Sequence, residues 1–330
     1  MVYCGKSGNL AIKGAVLDRL GRGGFGDVYK GKLGDESADC FVAVKVLKQS
    51  KGKEVLGKEK SKGELELKEF VNEVASIGKT SHVNVVALLG FCFESGFWSK
   101  RANRALIFEY MPNGSLDKFI FDNNAAENTQ RLDWERCYQI SLGIARGLDY
   151  LHHSCNKRIV HFDIKPQNIL LDAAFVPKIC DFGLSKICTR DESIISIPTG
   201  PIRGTPGYIA PEVCNIHYGK ASYKSDVFSY GMMVVDMVGA RRNINVTAEE
   251  SSEEFFPQWV YKRLELDEEL GLQRITNEED RSKVRKMIIV SLWCTLTDPS
   301  SRPTMDKVVQ MLEGSLDSLQ VPPKNLLYST

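Results

Sequence analysis

Residues 161–168 (HFDIKPQN) decide the fold of this chain, together with two short motifs that follow them. Asp181-Phe182-Gly183 begins thirteen residues after Asn168, and Ala210-Pro211-Glu212 comes later in the chain. Each short motif is unremarkable alone. In this order and at these spacings the set is too specific to be a coincidence. It combines carboxylates, an amide and a lysine, the groups that proton transfer and the binding of a hard cation require.

A glycine-rich stretch lies nearer the N-terminus, at residues 20–28 (LGRGGFGDV). Its GxGxxG spacing fits the phosphate-binding turn of a dinucleotide fold as well as a hairpin that covers phosphates. A dinucleotide fold requires a helix directly after the third glycine. Residues 27–31 (DVYKG) lead instead into a second β-branched run, so the pattern favours a hairpin whose backbone N–H groups face phosphates.

Lys45 stands in the strand-like pattern VAVKVL, 19 residues after Gly26. A lysine in such a strand can simply extend its ammonium to an edge of the sheet. After a phosphate-binding hairpin it can instead reach phosphate oxygens, provided that a carboxylate holds it. Glu73, on a predicted helix over residues 70–78, is the expected partner, and Glu69, one turn earlier, is the alternative.

The composition of the chain changes near residues 111–114 (MPNG). Before this joint, β-branched runs predict strands over residues 41–47 and 105–110. After it, apolar residues at helical spacing predict helices over 134–152, 224–239, 256–266, 280–296 and 303–313. A small sheet-rich part therefore precedes a larger helical part.

The overall composition excludes several classes of protein. With 26% charged and 9% aromatic residues in a chain of 330, wholesale disorder is not expected. Lys and Arg number 43 against 42 Asp and Glu, so no global charge favours nucleic acid, and no nucleic-acid partner is expected. The nine scattered cysteines predict unpaired thiols in a reducing compartment. Without an apolar run of about 20 residues or a signal-peptide pattern, the chain as given is expected to be soluble and cytoplasmic.

Over residues 14–316 the chain resembles eukaryotic protein kinases, on the motifs quoted above. The resemblance implies an α+β fold with two lobes, a sheet-rich N-lobe over residues 14–110 and a larger helical C-lobe over 111–316. Residues 1–13 and 317–330 are then expected to be terminal tails. The resemblance further implies that ATP and Mg²⁺ bind between the lobes and that the γ-phosphoryl group passes to a protein hydroxyl.

Catalytic roles follow from the same resemblance, position by position. Asp163 is the expected catalytic base, and Lys165 is the expected cation near the developing charge. Lys45, paired with Glu73, is expected to hold the α- and β-phosphates of ATP.

The resemblance also assigns the ligand-binding residues. Asn168 and Asp181 are the expected ligands of Mg²⁺, for which oxygen donors are suited. The expected nucleotide-binding residues are Leu20, Gly21, Arg22, Gly23, Gly24, Phe25, Gly26, Asp27, Val28, Lys45, Glu109 and Met111.

Further matches bear on the architecture around these residues. Asp226 resembles the buried aspartate that braces the catalytic loop, and Arg302 resembles the arginine that pairs with the glutamate of the APE motif, here Glu212. Phe108 is expected to be the gatekeeper before the adenine-binding residues. Cys180, directly before Asp181, is expected to pack rather than to react.

Lys165, two residues after Asp163, and Thr205, before the APE motif, resemble the serine/threonine branch of the family. Four stretches together resemble plant receptor-like kinases, in particular the group named for leaf-rust resistance: residues 110–121, 160–172, 203–213 and 291–305. In that group an extracellular domain and a membrane helix precede the kinase. The chain is therefore expected to be a fragment or a truncated cytoplasmic member. In a longer receptor it would lie at the cytoplasmic face of the plasma membrane, attached only through a part absent from this chain.

Phe162 departs from the family pattern. Most kinases have an arginine there, which pairs with a phosphate on the activation segment. Phenylalanine cannot form this pair, so activity is expected not to depend on phosphorylation of Ser193, Ser196 and Thr199. The alternative is that Phe162 is a packing variant and that regulation is conventional.

Two other stretches also differ from the pattern. Residues 48–68 hold seven lysines and four glutamates, which indicates a solvated loop, with a basic docking patch as the alternative. Their length raises the question whether the Lys45–Glu73 pair is loosened. Residues 11–20 match the family poorly, so an irregular first strand is expected. The competing function is a pseudokinase scaffold, but pseudokinases typically lack at least one of the motif residues that are all present here.

Overall fold

The structure is a computed structural model that describes residues 2–4, 18–22, 26–33, 40–47, 67, 70–78, 80–94, 103–121, 132–189, 195, 204–239, 275 and 277–323. Within these residues the chain forms the expected two-lobed α+β fold, with one sheet in the N-terminal lobe and mainly helices in the C-terminal lobe. The predicted helix over 256–266 lies outside the described residues.

Six strands form the sheet of the N-lobe, in the order β1-β5-β6-β4-β3-β2. They are β1 (Val2–Cys4), β2 (Arg19–Arg22), β3 (Gly26–Leu33), β4 (Cys40–Leu47), β5 (Leu88–Glu94) and β6 (Asn103–Glu109). β1, within the predicted N-terminal tail, pairs in parallel with β5, and the other neighbours are antiparallel. The β2–β3 register shifts between Arg19 and Gly21. β2, the strand that enters the glycine-rich hairpin, is therefore irregular, as predicted for the first strand of the kinase pattern.

The position of Lys45 follows from the alternation of side chains along β4. Val42 and Val44 pack with Ile107 on one face of the sheet. Since neighbouring residues of a strand point to opposite faces, Lys45 points to the other face. β4 pairs with both β3 and β6, which places this lysine in the middle of the sheet.

One helix, α1 (residues 70–77), packs against that face of the sheet. Phe70 and Ile77 are buried and share a face of the helix with Glu73, whereas Val71 is exposed. The Phe70 ring contacts Phe91 on β5 at a centroid distance of 6.2 Å. The apolar residues thus orient the helix so that the intervening carboxylate faces Lys45.

The C-lobe contains the other helices of the described chain. They are α2 (Asp117–Phe121), α3 (Trp134–Asp149), α4 (Pro211–Cys214), α5 (Lys224–Met237), α6 (Glu278–Cys294) and α7 (Met305–Glu313). Asp133 caps α3 by accepting a 2.8 Å hydrogen bond from Arg136 N, and a π-helical turn (Tyr150–Ser154) extends the helix. The long predicted helices in the described part of the chain are confirmed, with ends displaced by one or two residues.

α5 runs through the middle of this lobe and is buried from Ser225 to Met237. A helix that is enclosed on every side needs no polar face, which explains its apolar sequence. In the described part of the chain, no helix is long and apolar enough to cross a membrane. Cys40, Cys137, Cys180, Cys214 and Cys294 are free thiols.

Two small sheets hold the segments that carry the sequence motifs. One has the order β10-β9-β7, built from Pro177–Ile179, Ile169–Leu171 and Gly114–Ser115. The other pairs β8 (Arg158–Val160) with β11 (Lys186–Cys188). Residues 161–168 connect β8 to β9, and residues 180–185 connect β10 to β11. Because β9 pairs with β10 and β8 with β11, the two connections lie side by side.

Candidate active site

Lys45 joins the N-lobe to the segment that follows β10. Its Nζ lies 2.8 Å from Oε2 of Glu73 and 3.0 Å from Oε1. The same Nζ donates to Oδ1 of Asp181 at 2.7 Å. The predicted Lys45–Glu73 pair is therefore present, and Glu69, the alternative partner, lies outside the described residues.

The three charges of this cluster shift one another's pKa. Burial lowers the pKa of Lys45, but the carboxylates of Asp181 and Glu73 raise it by more, so the ammonium stays charged. Burial raises the pKa of Asp181, and Lys45 outweighs this and lowers it. At Glu73, whose side chain is 2% exposed, burial raises the pKa more than Lys45 lowers it.

Asp163 lies in a second cluster, on the connection between β8 and β9. Its Oδ2 is 2.8 Å from Nζ of Lys165, and its Oδ1 accepts a 2.7 Å hydrogen bond from the hydroxyl of Thr205. Lys165 Nζ in turn donates to Thr205 Oγ1 at 2.6 Å. Asn168 Nδ2 donates to the backbone oxygen of Asp163 at 2.8 Å and to its Oδ2 at 2.9 Å. The carboxylate is thus fixed from three sides, and each oxygen retains acceptor capacity.

The backbone of this loop is held from below by Asp226 on α5. Its Oδ2 and Oδ1 accept 2.8 Å hydrogen bonds from the backbone N–H of His161 and of Phe162. His152 Nε2 lies 2.9 Å from the same Oδ2. This is the bracing that the sequence predicted for Asp226. Phe162 itself has φ +62°, a left-handed conformation that is rare for a bulky residue and requires such support.

Asp181 presents its carboxylate from a turn that is also left-handed, with φ +65°. Phe182 behind it is fully buried and contacts the His161 ring at 4.8 Å. Cys180 donates its backbone N–H to Asn168 O at 3.0 Å, which ties the two connections together. Burial raises the pKa of the Cys180 thiol, so the thiolate is disfavoured and the predicted packing role is supported.

The glycine-rich hairpin is described on both sides of residues 23–25, which lie outside the described residues. Leu20, Gly21 and Arg22 on β2 are exposed. A Cβ built on Gly21 meets no described atom within 4 Å, whereas one on Gly26 would lie 2.4 Å from the Val46 carbonyl oxygen. Gly26 is thus required by the approach of β3 to β4, and the backbone at Gly21 is open to a ligand.

The segment after β6 holds the expected adenine-binding residues. Phe108 and Met111 are buried. The carboxylate of Glu109 is committed to protein contacts, because Oε1 accepts from Ala87 N at 2.8 Å and lies 3.0 Å from Lys178 Nζ. The backbone N–H of Glu109 donates to Ala87 O at 3.2 Å, so a contact between Glu109 and adenine would use the backbone carbonyl oxygen.

The donor set fits a magnesium ion with nucleotide phosphates. Asn168 uses the protons of Nδ2 on Asp163, which leaves Oδ1 to ligate a cation. Asp181 uses Oδ1 for Lys45, which leaves Oδ2. An amide oxygen and a carboxylate oxygen are the hard ligands that Mg²⁺ prefers. Lys45 adds a fixed positive charge beside them for phosphate oxygens.

Phe162 places an apolar side chain at the position where most kinases have a cationic arginine. Its side chain packs with Tyr223 against a buried cluster of Val160, Cys188 and Ile195. Of residues 190–203, the structure describes Ile195, whose N–H donates to Ala221 O at 2.8 Å. Ser193, Ser196 and Thr199, singled out as candidate phosphorylation sites, lie outside the described residues.

Arg302 and Glu212 form the predicted pair, far from the motifs in sequence. Arg302 Nη1 and Nη2 each lie 2.8 Å from one carboxylate oxygen of Glu212. The remaining guanidinium protons reach the carbonyl oxygens of Leu296 at 2.6 Å, Thr297 at 3.1 Å and Lys224 at 2.9 Å. Both side chains are 0% exposed, so this pair is enclosed on all sides.

Sequence reasoning missed two sets of polar contacts near the motifs. One is the attachment of Glu109 to Ala87 and Lys178 described above. The other is a 2.7 Å hydrogen bond between Ser76 Oγ on α1 and Ser185 Oγ after Phe182. Serine has no spacing signature of the kind that glycine loops have, and the two residues are 109 positions apart. Only the packing of α1 against the C-lobe brings them together.

These clusters, a lysine–glutamate pair in the N-lobe and a braced aspartate beside a second aspartate in the C-lobe, define a protein kinase. The family model for the protein kinase domain matches residues 15–312, and the chain belongs to the protein kinase family.

Curated relatives narrow the resemblance. The chain is 50% identical to the PR5-like receptor kinase of Arabidopsis thaliana, over 94% of this chain and 43% of that protein. It is 49% identical to the leaf rust 10 disease-resistance locus receptor-like protein kinase-like 2.4 of the same plant, over 96% of this chain and 47% of that protein. The chain thus spans a little under half the length of these two relatives.

Proposed function

We propose that this chain is an ATP- and Mg²⁺-dependent serine/threonine kinase unit that transfers the γ-phosphoryl group to protein hydroxyls. The observation that carries the proposal is the joint presence of two assembled clusters. Lys45 contacts Glu73 at 2.8 Å and Asp181 at 2.7 Å, while Asp163 is oriented by Lys165, Thr205 and Asn168.

Asp163 is placed to take the proton of an incoming hydroxyl. As that proton moves to a carboxylate oxygen, the hydroxyl oxygen would bond to the γ-phosphorus while the bond from the γ-phosphorus to the β,γ-bridging oxygen breaks and ADP leaves. Lys165, 2.8 Å from Asp163, supplies positive charge where negative charge develops. Lys45 binds α- and β-phosphate oxygens, and Asn168 and Asp181 hold the magnesium ion. When bound, the ion neutralises phosphate charge.

The preference for serine and threonine rests on Thr205 and Lys165. The Thr205 hydroxyl is used in both directions, since it accepts from Lys165 and donates to Asp163. This closed arrangement keeps the base close to its own loop, which suits a hydroxyl carried on a short side chain.

The chain is proposed to act as the intracellular signalling unit of a longer receptor-like protein. Support comes from relatives that are receptor kinases by name and about twice as long as this chain. We propose the kinase unit at residues 14–316, with the lobes joined near Met111. Its activation is proposed not to require phosphate on the activation segment, because Phe162 contributes an aromatic ring to an apolar cluster in place of a guanidinium.

Phosphoryl transfer by the purified chain tests the proposal. The protein is incubated with Mg·ATP and the modified residues are mapped by mass spectrometry, with Asp163→Asn as the inactive comparison. We expect phosphoserine and phosphothreonine, and a rate in Asp163→Asn lower by about 10²–10⁴-fold, as for loss of a positioned base.

Nucleotide binding by Asp163→Asn should persist, because Asp163 is not expected to hold the phosphates. Asp317→Asn, an exposed aspartate outside the matched residues, is the control for the substitution itself. Wild-type-like transfer by Asp163→Asn refutes the base assignment. Nucleotide binding without transfer by the wild-type protein identifies a pseudokinase.

A further inference from the structure

A chain of hydroxyl groups connects α1 to the turn that presents Asp181. Ser76 Oγ on α1 lies 2.7 Å from Ser185 Oγ. Ser185 Oγ in turn donates to the Phe182 carbonyl oxygen at 2.7 Å, and its backbone N–H reaches the same oxygen at 3.1 Å. Two segments, α1 of the N-lobe and the turn over residues 181–185, are thus linked through the Ser76 and Ser185 hydroxyl groups.

The direction of these hydrogen bonds follows from the number of protons. A serine hydroxyl has one proton to donate. Ser185 gives that proton to Phe182 O, so the hydrogen bond between the two hydroxyl groups is donated by Ser76. Both residues are 2% exposed, so water does not readily replace either partner. If either hydroxyl group is removed, the hydrogen bond between Ser76 and Ser185 is lost and water does not readily replace it.

The hydroxyl chain runs beside the ion pair. Ser76 follows Glu73 by three residues and therefore lies on the same face of α1. Ser185 follows Asp181 by four residues, at the end of the same short turn. α1 is consequently attached to this turn twice, through Glu73–Lys45–Asp181 and through Ser76–Ser185–Phe182. A displacement of the helix breaks both attachments together.

We propose that Ser76 and Ser185 are positioning residues, which couple the placement of Glu73 on α1 to the conformation of the Asp181 turn. Neither touches substrate or nucleotide in this assignment. They act by stabilising the arrangement in which Lys45 contacts both carboxylates. The inference rests on the proposed kinase function for its effect on rate, but the coupling itself is a property of the fold.

Four variants measure this coupling: Ser76→Ala, Ser185→Ala, the double variant, and Ser81→Ala as the matched control. Ser81 is an exposed serine shortly after α1. We expect Ser76→Ala and Ser185→Ala each to lower kcat by about 3–10-fold, the worth of one buried hydrogen bond. Because the two serines share one bond, the loss in the double variant should be clearly smaller than the product of the single losses.

Hydrogen exchange gives a second measurement that does not require activity. Ser76→Ala should accelerate exchange in residues 70–78 and also in residues 181–185. Ser185→Ala should likewise accelerate exchange in its own segment, residues 181–185, and also in residues 70–78. A purely local packing defect at Ser76 would leave the exchange of 181–185 unchanged.

Three results overturn the inference: Ser76→Ala matching Ser81→Ala in kcat and exchange, multiplicative losses in the double variant, or exchange confined to the mutated segment. Absence of phosphoryl transfer in the wild-type protein would remove the proposed function alone. The exchange measurements would then still decide whether the two segments are coupled.

Discussion

Two ion pairs in this molecule each join a cation to a buried glutamate, but their surroundings differ. Arg302 and Glu212 in the C-lobe are each 0% exposed, and the guanidinium also donates to three backbone carbonyl groups. Lys45 in the N-lobe contacts an enclosed Glu73, but its other partner, Asp181, has a side chain that is 25% exposed.

The Arg302–Glu212 pair is therefore suited to stabilising the fold, and Lys45 is suited to the proposed binding of a ligand. Every contact of Arg302 ends on a fixed group, so nothing can enter without unfolding the surrounding loops. Lys45 gives one contact to a carboxylate that solvent reaches, and a phosphate can share that ammonium without disturbing Glu73. This contrast supports the proposed roles, which are phosphate binding for Lys45 and a structural role for Arg302.

The largest expected effect is on stability, from removal of the enclosed cation. Arg302→Met should lower the free energy of unfolding by about 3–5 kcal/mol, because it leaves the buried carboxylate of Glu212 uncompensated. Denaturant unfolding followed by fluorescence measures the change. Adding Glu212→Met should restore part of the loss, since it removes the orphaned charge. A loss below about 1 kcal/mol in the single variant would contradict the architectural role.

Substitution of Lys45 should lower activity more than it lowers stability. Lys45→Met is expected to lower phosphoryl transfer by about 10²-fold, comparable to loss of one preorganised charge-stabilising donor. Nucleotide affinity should fall with it, as measured by titration. The free energy of unfolding should change by less than in Arg302→Met, because the partly exposed Asp181 stays solvated and Glu73 can take up a proton. Equal losses of stability in both variants would erase the distinction.

The same variant makes a prediction about pH. Burial already raises the pKa of Glu73 above its ordinary value, and Lys45 is the group that opposes this shift. Without Lys45, nothing opposes the effect of burial on the pKa of Glu73, so the folded protein keeps the Glu73 proton to a higher pH than the unfolded chain does. Stability then falls as pH rises from the unfolded pKa towards the folded one. Lys45→Met should therefore gain stability relative to wild type as the pH is lowered towards the unfolded pKa of Glu73, measured as a difference in unfolding midpoint. A relative loss on acidification would contradict it.

A smaller effect is expected at Thr205, which joins Lys165 to Asp163. Thr205→Ala removes both hydrogen bonds of the hydroxyl and should lower kcat by about tenfold, or about 1.4 kcal/mol in the barrier. Thr205→Ser keeps the hydroxyl and should remain close to wild type. Steady-state rates on a serine-containing peptide measure both. If Thr205→Ser is as slow as Thr205→Ala, the methyl group rather than the hydrogen bonds matters.

The smallest effect is expected where no ion pair is available. Phe162 offers an apolar ring, so a phosphate on the activation segment has no arginine at this position to pair with. Replacing Ser193, Ser196 and Thr199 together with Ala should leave initial rates within about tenfold of wild type. A larger loss would indicate conventional regulation and reduce Phe162 to a packing variant.

The sequence predicted those parts of the fold that depend on local patterns, such as alternation along a strand or apolar spacing along a helix. The alternation along β4 and the helical spacing of α1 predicted that Lys45 faces a carboxylate, with Glu73 expected and Glu69 as the alternative. Apolar residues at helical spacing predicted α3, α5, α6 and α7. The irregular first strand was also foreseen, from a stretch that matched no regular pattern.

Other features depend on contacts between segments that no local rule connects. The pairing of β1 with β5 requires an edge strand to find an open edge, and three residues have no periodicity to reveal it. Ser76 and Ser185 acquire a function only when the lobes pack together. Glu109 was assigned to nucleotide binding by position, but which atoms remain available depends on Lys178, which approaches from the C-lobe.

The contacts of Glu109 also have a mechanical consequence. Its carboxylate is bound to Ala87 in the N-lobe and to Lys178 on β10, and Val86 N donates to Ile179 O on the same strand at 3.0 Å. These contacts join the two lobes beside β5 and β6, towards the edge of the sheet that β1 forms. β2 lies at the opposite edge of that sheet. A rotation of the lobes about these contacts would therefore displace β2 more than β5 and β6, and would leave Glu109 close to the axis.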